Sequence, residues 1–163
     1  MADSRSKTIT LTIDSSLEQV ALLGVAVQAV CLYSPLTEME AYQVRLCVVE
    51  AVNNIIKHAY ALEANHPVEV TMTLMDERLS IDLRDEGSVA SFPEGLLGRE
   101  GDSIKDGGDP PEQGYGLHIV LSVMENVRFE RLGEQNFLRM EKTFAPDPAR
   151  ERADESVIRN VAA

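Results

Sequence analysis

The sequence predicts an α/β fold, a two-layer sandwich with helices on one face of a mixed, mostly antiparallel sheet. Three features carry that expectation: segments alternating apolar and polar residues with period two, longer segments with helical periodicity, and tight polar connections between them. They follow one another as strand, helix, helix, two strands, loop, helix, two strands. Strands joined by short connections pair antiparallel. The 163 residues suit one domain, and 44% hydrophobic content is enough for an ordinary core.

Thr8-Ile-Thr-Leu-Thr-Ile13 alternates hydroxyl and aliphatic side chains, as a half-buried strand of mostly β-branched residues does. Asp14-Ser-Ser follows as a cap cluster, with Glu18 spaced to close a capping box from Ser15. Leu17 to Tyr33 then reads as a strongly apolar helix that stops at Ser34-Pro35. Thr37 and Glu40 repeat the box spacing ahead of a second helix, which runs to about Leu62 before Asn65-His66-Pro67 breaks the pattern. Val68 to Leu74 and Leu79 to Leu83 alternate, and Met75-Asp-Glu-Arg78 joins them as a hairpin. Ser88 to Gln113 is rich in glycine and proline with little apolar periodicity. So long a loop in a compact domain is a tolerated insertion or, more sharply, a lid that closes over a ligand. Gly114-Tyr-Gly-Leu-His opens a helix through Met124, with Leu117, Val120, Leu121 and Met124 as its buried stripe. Val127 to Arg131 and Phe137 to Phe144 form a second hairpin through Gly133-Glu-Gln-Asn136. The domain is therefore placed at residues 7–145, and the mixed-charge tail 146–163 is expected to be disordered or a short helix.

Composition excludes some function classes. Lys and Arg number 15 against 27 Asp and Glu, a net charge of −12, which opposes sequence-independent binding to nucleic acid phosphates or anionic membranes. Cys31 and Cys47 sit among apolar residues without Cys-x-x-Cys spacing, as small core residues of a protein in a reducing compartment. No His or Cys cluster has metal-ligand spacing. No basic flank followed by a long apolar run opens the sequence, so a soluble, cytoplasmic protein is expected.

The second helix holds the chemistry. Tyr42, Leu46, Val49, Val52, Ile56 and Ala59 recur in steps of three and four and are expected to face the core. Glu50 and Asn54 project about 40° apart along the edge of that stripe, and Lys57 and His58 extend the polar edge. A carboxylate and a carboxamide beside a core seam either form a solvated flank or face a cleft holding water, metal or ligand. Gly114 and Gly116 leave backbone at a helix start free to approach an anion, where unpaired N–H groups and the helix dipole attract phosphate.

Glu50-x-x-x-Asn54-x-x-x-His58-Ala-Tyr60, then Asp85-x-Gly87, then Gly114-x-Gly116-Leu117 resembles the N, G1 and G2 boxes of the histidine-kinase-like (GHKL) ATPases. The His-Ala-Tyr ending points to the small anti-sigma factors that double as serine-protein kinases, the RsbW and SpoIIAB type. The resemblance runs from about Ile9 to Phe144, and it implies the ATP-binding Bergerat fold. It also implies that Asn54 ligates Mg²⁺, that Glu50 is the general base, and that Asp85 accepts from the adenine amino group while Gly87 leaves room for the base. Lys57 or His58 would touch phosphate or ribose, and the backbone from Gly114 through Tyr115 and Gly116 to Leu117 would hold the phosphates. Val89 stands where many relatives have a second G1 glycine. No phosphoacceptor-histidine segment or dimerisation helix pair precedes Ile9, unlike a sensor histidine kinase.

The implied function is an anti-sigma factor and ATP-dependent serine/threonine kinase that phosphorylates an anti-anti-sigma (STAS-type) partner, binds a sigma factor and forms a homodimer. The alternative is a non-catalytic, nucleotide-dependent binding module of the same fold, and a remoter one is an interaction domain without nucleotide. Retention of both Glu50 and Asn54 favours the enzyme.

Overall fold

The structure is a computed structural model, described here for residues 6–88 and 115–145. In chain order these form β1 (Lys7–Asp14), α1 (Leu17–Tyr33), α2 (Glu38–Asn54), a π-helical turn (Ile55–Ala59), β2 (Pro67–Leu74), β3 (Arg78–Asp85), α3 (Tyr115–Val123), β4 (Glu125–Leu132) and β5 (Gln135–Thr143). The tail 146–163 and most of the expected lid, residues 89–113, lie outside the described residues.

The five strands pair in the order β1-β2-β3-β5-β4, and every pairing is antiparallel. The expectation of a mixed sheet is corrected. β3 and β4 do run in the same direction, but the tight β4–β5 hairpin folds β5 back between them, so no parallel neighbours arise.

Alternation assigns the two faces of the sheet. Val68, Val70 and Met72 of β2, Leu79, Ile81 and Leu83 of β3, and Leu138 and Met140 of β5 are buried on the helix side. The outer face is polar. There Thr8 and Thr10 share hydroxyl bonds with Thr73 and Thr71 at 3.2 and 3.0 Å, and Arg84–Glu69 and Arg139–Asp82 form ion pairs at 3.0 and 2.6 Å. α1 has the expected extent to the residue, whereas α2 starts where expected but ends at Asn54. β1 lies at the sheet edge.

The buried stripe of α2 is offset from the expected one. Tyr42 is 46% exposed and Leu46 and Val49 are only partly covered, whereas Ala41, Val44, Cys47, Val48, Ala51 and Val52 are buried. The cause is that α2 packs on three sides at once, against the sheet, α1 and α3. Small residues fill its closest contacts, and Val49 turns toward Gly24 of α1, where a Cβ would lie 3.0 Å from its Cγ2. Cys31 and Cys47 are free and fully buried, as expected of core residues, and burial pushes each thiol up to about 12.

The two cap readings fare differently. Thr37 and Glu40 make the full capping box, with Thr37 Oγ1 accepting from the Glu40 N–H at 3.2 Å and Glu40 Oε2 accepting from the Thr37 N–H at 2.9 Å. Ser15 makes no box with Glu18. The N-cap of α1 is Ser16, whose side chain makes no capping bond. Buried Ser15 instead donates to the Glu63 carbonyl at 2.6 Å and accepts from the His66 N–H at 3.1 Å. That bond pair ties the start of α1 to the segment that feeds β2.

Removing Ser15 Oγ leaves two backbone groups without their partner, so Ser15→Ala should cost about 1–3 kcal/mol in urea unfolding. Thr37→Ala should cost about 1 kcal/mol. Ser16→Ala should be close to neutral, and equal losses at Ser15 and Ser16 would refute this assignment.

Candidate active site

The site is built at the end of α2. Asn54 is the last residue of the α-helix, and the next five residues widen into the π turn, closed by Tyr60 N–H donating to the Ile55 carbonyl at 3.0 Å. The helix therefore ends earlier than the expected Leu62. Ala61 and Leu62 adopt left-handed backbone with φ of 50° and 63°, held by Leu62 N–H on the Ile56 carbonyl at 2.8 Å. Periodicity does not announce this widening, because Ile55, Ile56 and Ala59 stay buried on either reading.

Two other segments close on this helix where glycine permits it. A Cβ on Gly116, in the first turn of α3, would lie 2.5 Å from Glu50 Oε2. The carboxylate thus sits against the helix start that the sequence marks as a phosphate cradle, with Glu50 and Asn54 both half-buried. A Cβ on Gly87, just beyond β3, would lie 2.5 Å from Ala59 Cβ and 2.7 Å from its carbonyl oxygen. Ala59 therefore fills the space beside Gly87. Ser88 N–H donates to that same Ala59 carbonyl at 2.9 Å.

Asp85, Asn136 and Arg131 occupy one cross-strand row on the helix side of β3, β5 and β4. Asp85 is 4% exposed, and its Oδ1 accepts from Asn136 Nδ2 at 2.8 Å and from the Gly87 N–H at 2.9 Å. Its Oδ2 accepts from no group among the described residues. Burial raises the Asp85 pKa above the ordinary aspartate range, while the Asn136 and Gly87 bonds and the charge of Arg131 pull the other way. A buried carboxylate oxygen with no protein donor fits a ligand that brings its own N–H, as the amino group of a nucleobase does.

Of the residues singled out in the sequence, Glu50, Asn54 and Gly116 come together at one end of the site, and Asp85 and Gly87 at the other. Lys57 and His58 are exposed on the π turn, and Ser88 Oγ donates to the His58 carbonyl at 3.4 Å. The Leu117 side chain is buried in the core, so only its backbone faces a role in binding. Tyr115 begins α3, and Gly114 lies outside the described residues.

Asn136 and Arg131 escape the sequence reading, and so does the positioning role of Tyr60, which the sequence marks only as a motif residue. The Tyr60 hydroxyl donates to the Pro67 carbonyl and accepts from the Glu86 N–H, both at 2.8 Å, and its ring stacks on His66 with centroids 4.7 Å apart. Asn136 falls within the expected turn, but the actual turn is only Gly133 and Glu134, which makes Asn136 a strand residue. Arg131 then reaches Asn136 Oδ1 at 2.7 Å. The signal available was the Gly133 turn flanked by alternating residues, which a two-residue hairpin suits best.

A cavity of about 480 Å³ bordered by Arg78, Asp82, Arg128 and Arg139 lies on the outer face of the sheet. It is away from Glu50 and Asp85 and is crossed by the Arg139–Asp82 pair, so it is solvated surface rather than part of this site. Among the described residues no group of three or more His, Cys, Asp or Glu is placed to hold a metal. A Mg²⁺ held by one amide and by phosphate oxygens needs no such group, and Asn54 fits it chemically as a neutral oxygen ligand.

An α/β sandwich with an acid and an amide on one helix, a buried aspartate at a strand end and a glycine-bearing helix start defines an ATP-binding domain of the histidine-kinase type. Residues 13–142 match the histidine kinase-like ATPase domain family, and the chain belongs to it. It is 28% identical over 111 residues to the serine/threonine-protein kinase BtrW of Bordetella bronchiseptica, covering 65% of this chain and 72% of that protein. It is 34% identical over 79 residues to an anti-sigma F factor of Oceanobacillus iheyensis, covering 48% and 54%. Its fold is similar to the crystal structure of the RsbU and RsbW domains of a Mycobacterium tuberculosis protein, with a TM-score of 0.59 and 12% identity over 86% of this chain and 33% of that one.

Asp85 gives a prediction with a definite sign. A carboxyl whose folded pKa is raised binds protons more readily folded than unfolded, so it lowers stability as pH rises through the window from its unfolded to its folded pKa. Asp85→Asn keeps an acceptor for Asn136 and Gly87 without the buried charge. The variant should melt higher than the wild type at neutral pH, the difference shrinking as pH falls from the raised pKa to the ordinary aspartate range and levelling off below it. A melting difference that grows on acidification would contradict the burial argument.

Proposed function

We propose that this protein is an anti-sigma factor and an ATP-dependent serine/threonine-protein kinase that phosphorylates an anti-anti-sigma partner of the STAS type in a partner-switching module. The observation that carries this reading is the convergence on one helix end of Glu50 with the first turn of α3, and of Gly87 and its neighbour Asp85 with Ala59. Relatives named as a serine/threonine kinase and as an anti-sigma factor support it.

In this reading Asp85 Oδ2 accepts from the adenine amino group, and the N–H groups opening α3 at Gly116 and Leu117, with those of Gly114 and Tyr115, hold the phosphates. Lys57 and His58 are exposed on the same helix end and add positive or hydrogen-bonding contact to phosphate or ribose. Glu50 takes the proton from the partner's serine as that oxygen bonds to the γ-phosphorus and the bond to the ADP oxygen breaks. The Asn54 amide oxygen would hold a Mg²⁺ ion, which would supply charge neutralisation for the triphosphate when bound. The sigma factor is a second partner, and the reaction takes place in the cytoplasm. No helix among the described residues is long and apolar enough to cross a membrane. A second copy pairs at the flank of β1, an uncharged edge strand from Thr8 to Ile13.

Glu50→Gln keeps shape and most hydrogen bonding but loses the basic site. ATP should still bind, while radiolabel transfer to a cognate STAS protein should fall by roughly 10²–10⁴-fold. Asn54→Ala should lose the magnesium-dependent part of ATP affinity as well. Wild-type transfer by Glu50→Gln would remove the base assignment, and wild-type protein that binds ATP but never transfers would make this a binding module.

For the oligomer, light scattering at micromolar concentration should give twice the chain mass. Lysine at Thr10 should shift it toward the monomer by charging the strand edge, and a monomer in the wild type would exclude the dimer.

A further inference from the structure

Among the described residues only one oxygen of Asp85 is engaged. Oδ1 uses both lone pairs, on Asn136 Nδ2 at 2.8 Å and on the Gly87 N–H at 2.9 Å. Asn136, 1% exposed, also directs Nδ2 toward the Gly87 and Ser88 carbonyls at 3.2 and 3.5 Å. Its own Oδ1 accepts from Arg131 Nη1 at 2.7 Å, and the same nitrogen donates to the Gly87 carbonyl at 3.1 Å. The amide is therefore polarised by its neighbours. A cation at one end requires its oxygen, and a carboxylate with two carbonyls at the other requires its nitrogen.

We propose that Asn136, oriented by Arg131, determines which purine Asp85 receives, by occupying Oδ1 so that the carboxylate presents a single free oxygen. This rests on reading Asp85 as the nucleobase acceptor. A carboxylate with both oxygens free suits guanine, whose ring N–H and exocyclic amino group are two parallel donors, as in a bidentate guanidinium pair. Adenine offers one amino donor beside a ring acceptor. A carboxylate already saturated at Oδ1 satisfies that single donor and leaves one of guanine's two donors unpaired, a loss that hydrogen-bonding sites discriminate against strongly. Asn136 thus acts on the base through Asp85, and Arg131 acts through Asn136. The charged group acting on Asp85 among the described residues is Arg131 from β4; Glu86 adjoins it in sequence, Arg84 is paired with Glu69 on the outer face, and the neutral Tyr60 hydroxyl accepts from the Glu86 N–H at the helix end.

The test is titration calorimetry of the full chain with ATP and with GTP, the fold of each variant checked by circular dichroism. Wild type should prefer ATP. Asn136→Ala should lower that preference by about tenfold or more, through weaker ATP and stronger GTP binding. Arg131→Met should shift the ratio in the same direction by less, and Arg131→Lys should restore most of it. Arg131 is exposed on β4, so its substitution keeps the proposal testable even if Asn136→Ala does not fold. An unchanged ATP-to-GTP ratio in folded Arg131→Met, or in folded Asn136→Ala, would overturn the relay and leave Asn136 a merely structural residue. Wild type that bound both nucleotides equally would overturn the selectivity proposal alone. Wild type that bound neither would instead sink the reading of Asp85 beneath it.

Discussion

The close approach of backbone to the end of α2 at residues 87 and 116 governs where the other parts of the site lie. At each position an added Cβ would come within 2.5 Å of a side-chain atom of that helical segment, of Ala59 in one case and Glu50 in the other. Carbon atoms do not tolerate such distances, so any larger residue has to push its segment outward. The contact at Gly87 has least freedom, because the opposing atoms include the Ala59 backbone, and a backbone in a hydrogen-bonded turn cannot rotate away. At Gly116 the neighbour is the far end of a flexible glutamate. The first contact therefore fixes a frame, and the second places a movable acid against a helix start.

This division explains what could be read from the sequence. Strand alternation in Thr8–Ile13 and Val68–Leu74, the Thr37–Glu40 box and the helix opening at Tyr115-Gly116 are local signals with local causes, and the structure carries each of them. The buried stripe of α2 depends on neighbours from three directions, and a single-faced periodicity cannot represent it. Ser15 has the right spacing to Glu18 for a box, yet a carbonyl 48 positions away competes for its hydroxyl and wins, because that bond is partly shielded from water and a helix cap is exposed to it. The Asp85–Asn136–Arg131 row needs the register of three strands, two of them separated by α3, before any of its members has a meaning. Motif spacing found the residues expected to touch nucleotide. It had no means to find the ones that hold them.

The row also shows the protein holding a destabilising arrangement in place. Burying an unpaired carboxylate costs several kcal/mol, and the two bonds to Oδ1 recover about 1.5–3 kcal/mol each. That the Asp85 pKa remains raised means burial still outweighs its compensation. A third protein donor on Oδ2 would reduce the imbalance at little structural difficulty in a sheet rich in arginine, and the described residues supply none. Stability alone would favour such a donor or an apolar residue at this position. A site that must accept an incoming N–H group has to leave the acceptor open, and the same unmet hydrogen bond that weakens the empty fold is then available to strengthen a bound one.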